Sequence, residues 1–149
     1  MAPRKVLILC TGNSCRSQMA EAIVNRFLAG QWQAFSAGTR PSGYVHPLAL
    51  RALGEIGIQH TGTSKSAEAF RDADLDVVIT VCDDAAENCP LWLGQGKRVH
   101  IGFPDPALAQ GSDAHKLEAF RQVRDDIRLR ILDFLRSYPA DPQTQSSQD

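Results

Sequence analysis

The chain begins with the stretch that most limits its fold. Lys5-Val6-Leu7-Ile8-Leu9, an unbroken apolar run, passes directly into the small polar loop Cys10-Thr11-Gly12-Asn13-Ser14-Cys15-Arg16-Ser17. A strand without polar alternation must be buried on both faces, as happens in a parallel sheet covered by other elements. After the loop, Met19, Ala22, Ile23 and Phe27 recur at helical spacing until Gly30. Ser17 precedes this run and Glu21 lies near its first turn, so the loop feeds a helix N-terminus with Ser17 in the capping position.

The alternation continues along the chain. Trp32 to Ala37 reads as a second strand, and Pro47 opens a helix through Leu48, Leu50, Arg51, Leu53 and Ile56 that Gly57 closes. Asp76 to Val81 is rich in β-branched residues and predicts a third strand that ends at Cys82. Lys97 to Ile101 is a fourth, followed by Gly102-Phe103-Pro104-Asp105-Pro106. A long final helix carries Leu117, Phe120, Val123, Ile127, Ile131, Phe134 and Leu135 on one face. Strands alternating with helices predict a parallel sheet with right-handed crossovers, and ligands of such sheets bind beyond the carboxyl ends of the strands. Cys10, Cys82 and Asp105 all fall at or just past such an end.

The 149 residues are enough for one domain, placed at 1–138. The tail 139–149 has almost nothing to bury and is expected to be disordered. Sixteen Lys+Arg against seventeen Asp+Glu leave a net charge of −1, which offers no broad footprint for nucleic acid or an anionic membrane. No apolar run approaches the ~20 residues of a spanning helix. The first residues lack a signal peptide's apolar stretch, so a cytoplasmic protein is expected, and a monomer. Four cysteines, Cys10, Cys15, Cys82 and Cys89, then need a reason. In a reducing compartment metal binding or catalysis is favoured over static disulfides. No Cys or His partner lies at zinc-finger spacing, and His46, His60, His100 and His115 are scattered, so no metal is assigned and no histidine is given a catalytic role.

Cys10-x5-Arg16-Ser17 between a strand and a helix suits a tetrahedral oxyanion. Backbone N–H groups of a small-residue loop can turn inward, and the helix N-terminus adds positive partial charge. Gly12 is expected to let the backbone turn without Cβ strain. Arg16 supplies a planar fork of donors for two oxyanion oxygens. The same field favours the Cys10 thiolate, the nucleophilic form. Thr11, Gly12, Asn13, Ser14, Cys15 and Ser17 complete the candidate anion loop. The plainer alternative is a buried core cysteine beside an ordinary surface arginine, which the strand–loop–helix placement disfavours.

Cys10 to Glu21, CTGNSCRSQMAE, resembles the active-site loop of the low-molecular-weight protein tyrosine phosphatase superfamily. Its Ser17-Gln18-Met19-Ala20-Glu21 continuation is similar to the thioredoxin-coupled arsenate reductase branch, where the tyrosine phosphatases more often have Ser-Pro. The resemblance runs from about Val6 to Phe134 and includes Ser36-Ala37-Gly38, Val81-Cys82 and Phe103-Pro104-Asp105-Pro106. It implies a three-layer α/β fold, a four-stranded parallel sheet in the order 2-1-3-4 flanked by helices. The implied activity is reduction of arsenate to arsenite, an arsenic-detoxifying oxidoreductase with no bound cofactor and thioredoxin as external reductant.

That strand order would set the first and third strands side by side, about 4.8 Å apart. Cys10 and Cys82 end those strands, and a disulfide needs Cα atoms roughly 4.4–6.8 Å apart. Thiol chemistry then suggests a relay. Cys10 attacks arsenate while Asp105, framed by two prolines, protonates the departing oxygen. Cys82 attacks Cys10 and releases arsenite; Cys89 next attacks Cys82 and carries the disulfide into the polar 82–89 segment. Cys15 is read as a spectator. Two other readings stay open: a low-molecular-weight tyrosine phosphatase, which needs neither Cys82 nor Cys89, and an oxyanion or arsenite sensor, which lacks any helix-turn-helix pattern here. Asp105 is followed by Pro106-Ala107-Leu108 and not by the Pro-Tyr-Tyr usual in the phosphatases.

One departure stands out. Some family members bind potassium behind the loop through an asparagine, a glutamate, a serine and an aspartate. Asn13, Glu21 and Ser36 match the first three, but Lys65 stands where the acid would lie. Its ammonium is expected to take the place of the ion and leave activity nearly independent of potassium.

Overall fold

A computed structural model describes residues 2–83, 92 and 94–139. Four parallel strands, β1 (Arg4–Cys10), β2 (Trp32–Gly38), β3 (Val77–Thr80) and β4 (Lys97–His100), form one sheet in the order β2-β1-β3-β4. This is the order the resemblance implied. The apolar run of β1 is central because it has to be: Val6 to Leu9 are fully buried, and only the two middle positions of such a sheet hide both faces. The edge strand β4 is mostly exposed.

Among the described residues there are three α-helices: α1 (Arg16–Phe27), α2 (Pro47–Glu55) and α3 (Asp113–Arg136). They pack with one another and with Val6, Ile8, Ile79 and Val81 into a single core through Met19, Ile23, Leu53, Phe120 and Ile127. Leu7, Leu9 and Val78 point to the opposite face, where Leu75, Phe35, Phe70 and Trp92 cover them. Single-turn 3-10 helices at Ala67–Phe70 and Pro106–Leu108 were not legible in the sequence pattern. They have too few residues for any periodicity to register.

Two long-range ties hold the frame. Trp32 is buried against α3, donates from its indole to Leu135 O at 3.2 Å and lies under the Arg4 guanidinium. At the C-terminus of α2, Glu55 receives Arg121 at 2.6 Å and Arg124 at 2.8 Å from α3. The Arg121 hydrogen bonds, then those of Arg124, pull the Glu55 carboxyl down to about 2. The other end of α2 is capped by His46, whose Nδ1 accepts from the Leu48 N–H and whose ring packs on Phe120.

The expected start of α1 is corrected. Its N-cap is Cys15, without a side-chain cap, and Ser17 is already inside the helix. The serine hydroxyl is drawn away from the backbone because Cys10 and Asn13 engage it. The Cys89 assignment and the tail at 140–149 lie outside the described residues.

Candidate active site

Four backbone carbonyls of the 11–14 loop are taken from outside. Thr11 O accepts from Arg40 N at 3.0 Å, Gly12 O from Ser42 N at 2.9 Å, Ser14 O from His46 N at 2.9 Å, and Asn13 O from Gln18 Nε2 at 3.2 Å. Carbonyls pulled outward turn the peptide N–H groups toward the centre, which is how a backbone cradle for an anion is made. The sharp turn falls on Asn13, with φ of 49°, and not on Gly12 as the sequence suggested. Asparagine tolerates this left-handed conformation better than most residues, and its side chain is fully used there. Glycine is required instead at position 38. A Cβ on Gly38 would stand 2.4 Å from Thr11 O and 2.9 Å from Asn13 N, so the end of β2 can approach the loop only without a side chain.

Cys10 closes β1 and is 2% exposed. Its Sγ accepts the Asn13 N–H at 3.3 Å and lies 2.9 Å from Ser17 Oγ. Arg16 is buried; its guanidinium donates to Phe103 O at 3.1 Å and stands 3.8 Å from Asp105 Oδ2. Asp105 caps the short helix Pro106–Leu108, its Oδ1 accepting from Ala107 N at 3.0 Å, so the proline-framed carboxylate is fixed above the loop. The Cys10 sulfur, the Arg16 guanidinium and the Asp105 carboxyl are thus gathered at one end of the sheet. The two residues after Pro106, Ala107 and Leu108, are exposed, and neither supplies an aromatic wall.

Cys15, also inside the loop, points at Asp105: its thiol donates to Oδ1 at 3.8 Å. Burial pushes this thiol up to about 11, with the neighbouring Asp105 and Cys10 adding to the effect against Ser14 and Arg16. At neutral pH it holds roughly 100-fold less thiolate than a cysteine at 9.0. Iodoacetamide should therefore leave Cys15 unmodified at neutral pH while labelling Cys10, a difference that peptide mass spectrometry resolves. Stability linked to Cys15 is fully present below its ordinary 9.0 and is lost as pH rises through about 11.

Cys82 lies two residues past β3, fully buried. Pairing of Leu9 with Thr80 sets Val81 level with Cys10 and Cys82 one step beyond, so the two cysteines do end neighbouring strands. Cys82 is disulfide-bonded, whereas Cys10 and Cys15 are free thiols.

Behind the loop, Ser36 Oγ donates to Glu21 Oε1 at 3.1 Å, and Lys65 Nζ approaches the same oxygen at 3.8 Å while donating to Thr63 O at 2.7 Å. Asn13 Oδ1 is already occupied by the Lys65 N–H at 2.7 Å. These residues do not fit a potassium ion: a cation already stands beside the glutamate, and the asparagine oxygen is spent on backbone. Arsenate turnover should change by less than about twofold when potassium replaces sodium at equal ionic strength, since the two monovalent cations screen alike. A severalfold rise specific to potassium would contradict this.

A model of the low-molecular-weight phosphotyrosine protein phosphatase family matches residues 5–144, and the chain belongs to that family. Within it, the similarity is to proteins named arsenate reductase. One from Halalkalibacterium halodurans is 44% identical over 137 residues, covering 90% of this chain and 96% of its own. The crystal structure of arsenate reductase from Archaeoglobus fulgidus superposes with a TM-score of 0.75 at 26% identity, over 89% of this chain and 99% of its own. An arsenate reductase in its phosphate-binding state gives 0.71 at 33% identity, over 91% and 99%. Among the described residues no helix is long and apolar enough to cross a membrane.

Sequence reasoning overlooked the part of His60 and Gln18, which extend the network around Asn13. The one available signal was Gly62 two residues after a histidine, and nothing local reveals what that glycine makes room for.

Proposed function

We propose that this chain is an arsenate reductase that works through Cys10, Cys82 and Cys89 in turn and is recycled by thioredoxin or a similar dithiol protein. The Cys10 thiolate attacks arsenic in the loop, forming an S–As bond. Asp105 gives its proton to one arsenate oxygen, which leaves as water. Arg16 and the inward N–H groups hold the remaining oxygens. The Cys82 thiolate then attacks Cys10 Sγ. An S–S bond forms, the S–As bond breaks, and its electron pair stays on arsenic, which leaves as arsenite. The Cys89 thiolate attacks Cys82 Sγ and frees Cys10, and two electrons from the external dithiol reduce the Cys82–Cys89 bond.

One observation carries this reading: Cys10 ends β1 inside the anion cradle, and Cys82 lies fully buried just past the end of the adjacent strand β3. A relay needs its second thiol within reach of the first, and neighbouring strand ends supply that. A phosphatase needs no second cysteine there, and Ala107 and Leu108 in place of tyrosines also speak against an aromatic substrate slot. Phosphate shares the geometry of arsenate, so slow hydrolysis of para-nitrophenyl phosphate is compatible with the same loop. The test is arsenate-dependent NADPH oxidation with thioredoxin and thioredoxin reductase, measured beside para-nitrophenyl phosphate hydrolysis. Turnover on arsenate is expected; hydrolysis without it would select the phosphatase.

A further inference from the structure

Cys10 is the end point of a line of hydrogen bonds that starts well outside the loop, and its direction can be worked out. The Lys65 backbone N–H can only donate, and it does so to Asn13 Oδ1 at 2.7 Å. This fixes the Asn13 amide with Nδ2 toward Ser17, donating to Oγ at 2.8 Å. A hydroxyl that accepts there has its own proton for Cys10 Sγ, 2.9 Å away. One step further back, Gln18 Nε2 donates to Asn13 Oδ1 at 3.1 Å, Asn13 O at 3.2 Å and Thr63 O at 2.8 Å. Three acceptors on that side turn Gln18 Oε1 toward His60 Nε2, 2.8 Å away, and the imidazole must carry its hydrogen on Nε2. From His60 to Ser17, each member of the line thus donates to the next one nearer the sulfur.

The far end of this line is built closely. A Cβ on Gly62 would fall 2.3 Å from His60 Nε2 and 2.4 Å from Gln18 Oε1, so the contact exists only because residue 62 has no side chain. The His60 side chain is 9% exposed and stands 3.8 Å from Glu21 Oε2, and Lys65 Nζ lies 3.8 Å from the other carboxylate oxygen. Burial lowers the His60 pKa, with Glu21 opposing and Lys65 assisting, and this favours a neutral ring that donates from one nitrogen.

We propose that His60 is a positioning residue of the active site, acting through Gln18, Asn13 and Ser17 to hold a donated hydrogen bond on Cys10 and favour its thiolate. Aligned hydrogen bonds polarise one another, so a donor at the start strengthens the one that reaches the sulfur. No proton travels along the line, because side-chain amides sit in the middle of it. Without His60, Gln18 Oε1 loses its donor in a buried place, the amide is free to turn, and the orientation of Asn13 and Ser17 relaxes. A proline at position 18 would remove the link altogether.

The proposal rests on Cys10 as nucleophile, and the test keeps the two apart by reading the thiolate directly. In the full chain, the iodoacetamide rate at Cys10 is followed by peptide mass spectrometry across a pH series, with thermal midpoints recorded in parallel. His60→Ala is expected to slow Cys10 alkylation at neutral pH about threefold and to move its profile toward alkaline pH. Gly62→Ala, which crowds the contact, should do the same, and His60→Gln, which keeps a donor at the Nε2 position, should restore most of the rate. Profiles of His60→Ala and Gly62→Ala that superpose on a reactive wild type would overturn the role of His60, whatever the thermal midpoints do. So would His60→Gln as slow as His60→Ala. A wild-type Cys10 no more reactive than a free cysteine would instead sink the nucleophile reading beneath both.

Discussion

Replacing Cys10 by serine should reduce arsenate reduction by at least about 10⁴-fold, to the limit of detection, in single-turnover arsenite release. Serine at the end of β1 fits the same space and leaves the backbone cradle and Arg16 in place, so oxyanion binding survives. What disappears is the atom that reacts. An alkoxide is far harder to form than a thiolate. Even an ester to arsenic would offer Cys82 no sulfur to attack, so the electron pair could not reach arsenic. Arsenite release by Cys10→Ser at more than a trace would mean that another thiol performs the first step.

Cys82→Ser separates the two chemistries that share this loop. Steady-state arsenate turnover with thioredoxin should again fall by about 10⁴-fold, because the thiol that resolves the adduct is gone and the raised pKa of Cys15 keeps it from substituting. Para-nitrophenyl phosphate hydrolysis should stay within about twofold of wild type, since water can discharge a phosphorylated cysteine. The loop supports this split. The contacts described for Cys10 Sγ come from Asn13 and Ser17, the guanidinium of Arg16 is held by Phe103 O, and Asp105 is held by Ala107 N. Loss of both activities in Cys82→Ser would show that the cysteine supports the loop and does not only carry electrons.

Much of the frame was legible because it is local. The β1 run could be nothing but a buried strand, and Asp76 to Val81 was nearly as clear. The observed strands differ from expectation by at most one residue at each end. The order of strands was not readable from periodicity and came with the family resemblance. Cys10, Arg16 and the loop between them were legible because anion binding needs consecutive small residues before a helix. What the sequence hid is nonlocal. Ser17 looked like a cap, but Cys10, seven positions earlier, competes for its hydroxyl and wins. Gly12 looked like the strained residue, whereas Asn13 takes the positive φ since its amide is clamped by Lys65 and Gln18. His60 looked like a stray histidine; its partner Gln18 lies 42 positions away. Each miss is a side chain whose partner only folding brings near.

The central claim is that three sulfurs act in sequence, and Cys89→Ser tests it most directly. Pre-reduced Cys89→Ser mixed with arsenate should release one arsenite per protein and then stop, holding a Cys10–Cys82 disulfide identifiable by mass spectrometry of unreduced peptides. The nucleophile is then blocked, so thioredoxin, thioredoxin reductase and NADPH should sustain little further turnover. Full thioredoxin-driven turnover by Cys89→Ser, with no Cys10–Cys82 species trapped, would contradict the three-cysteine account.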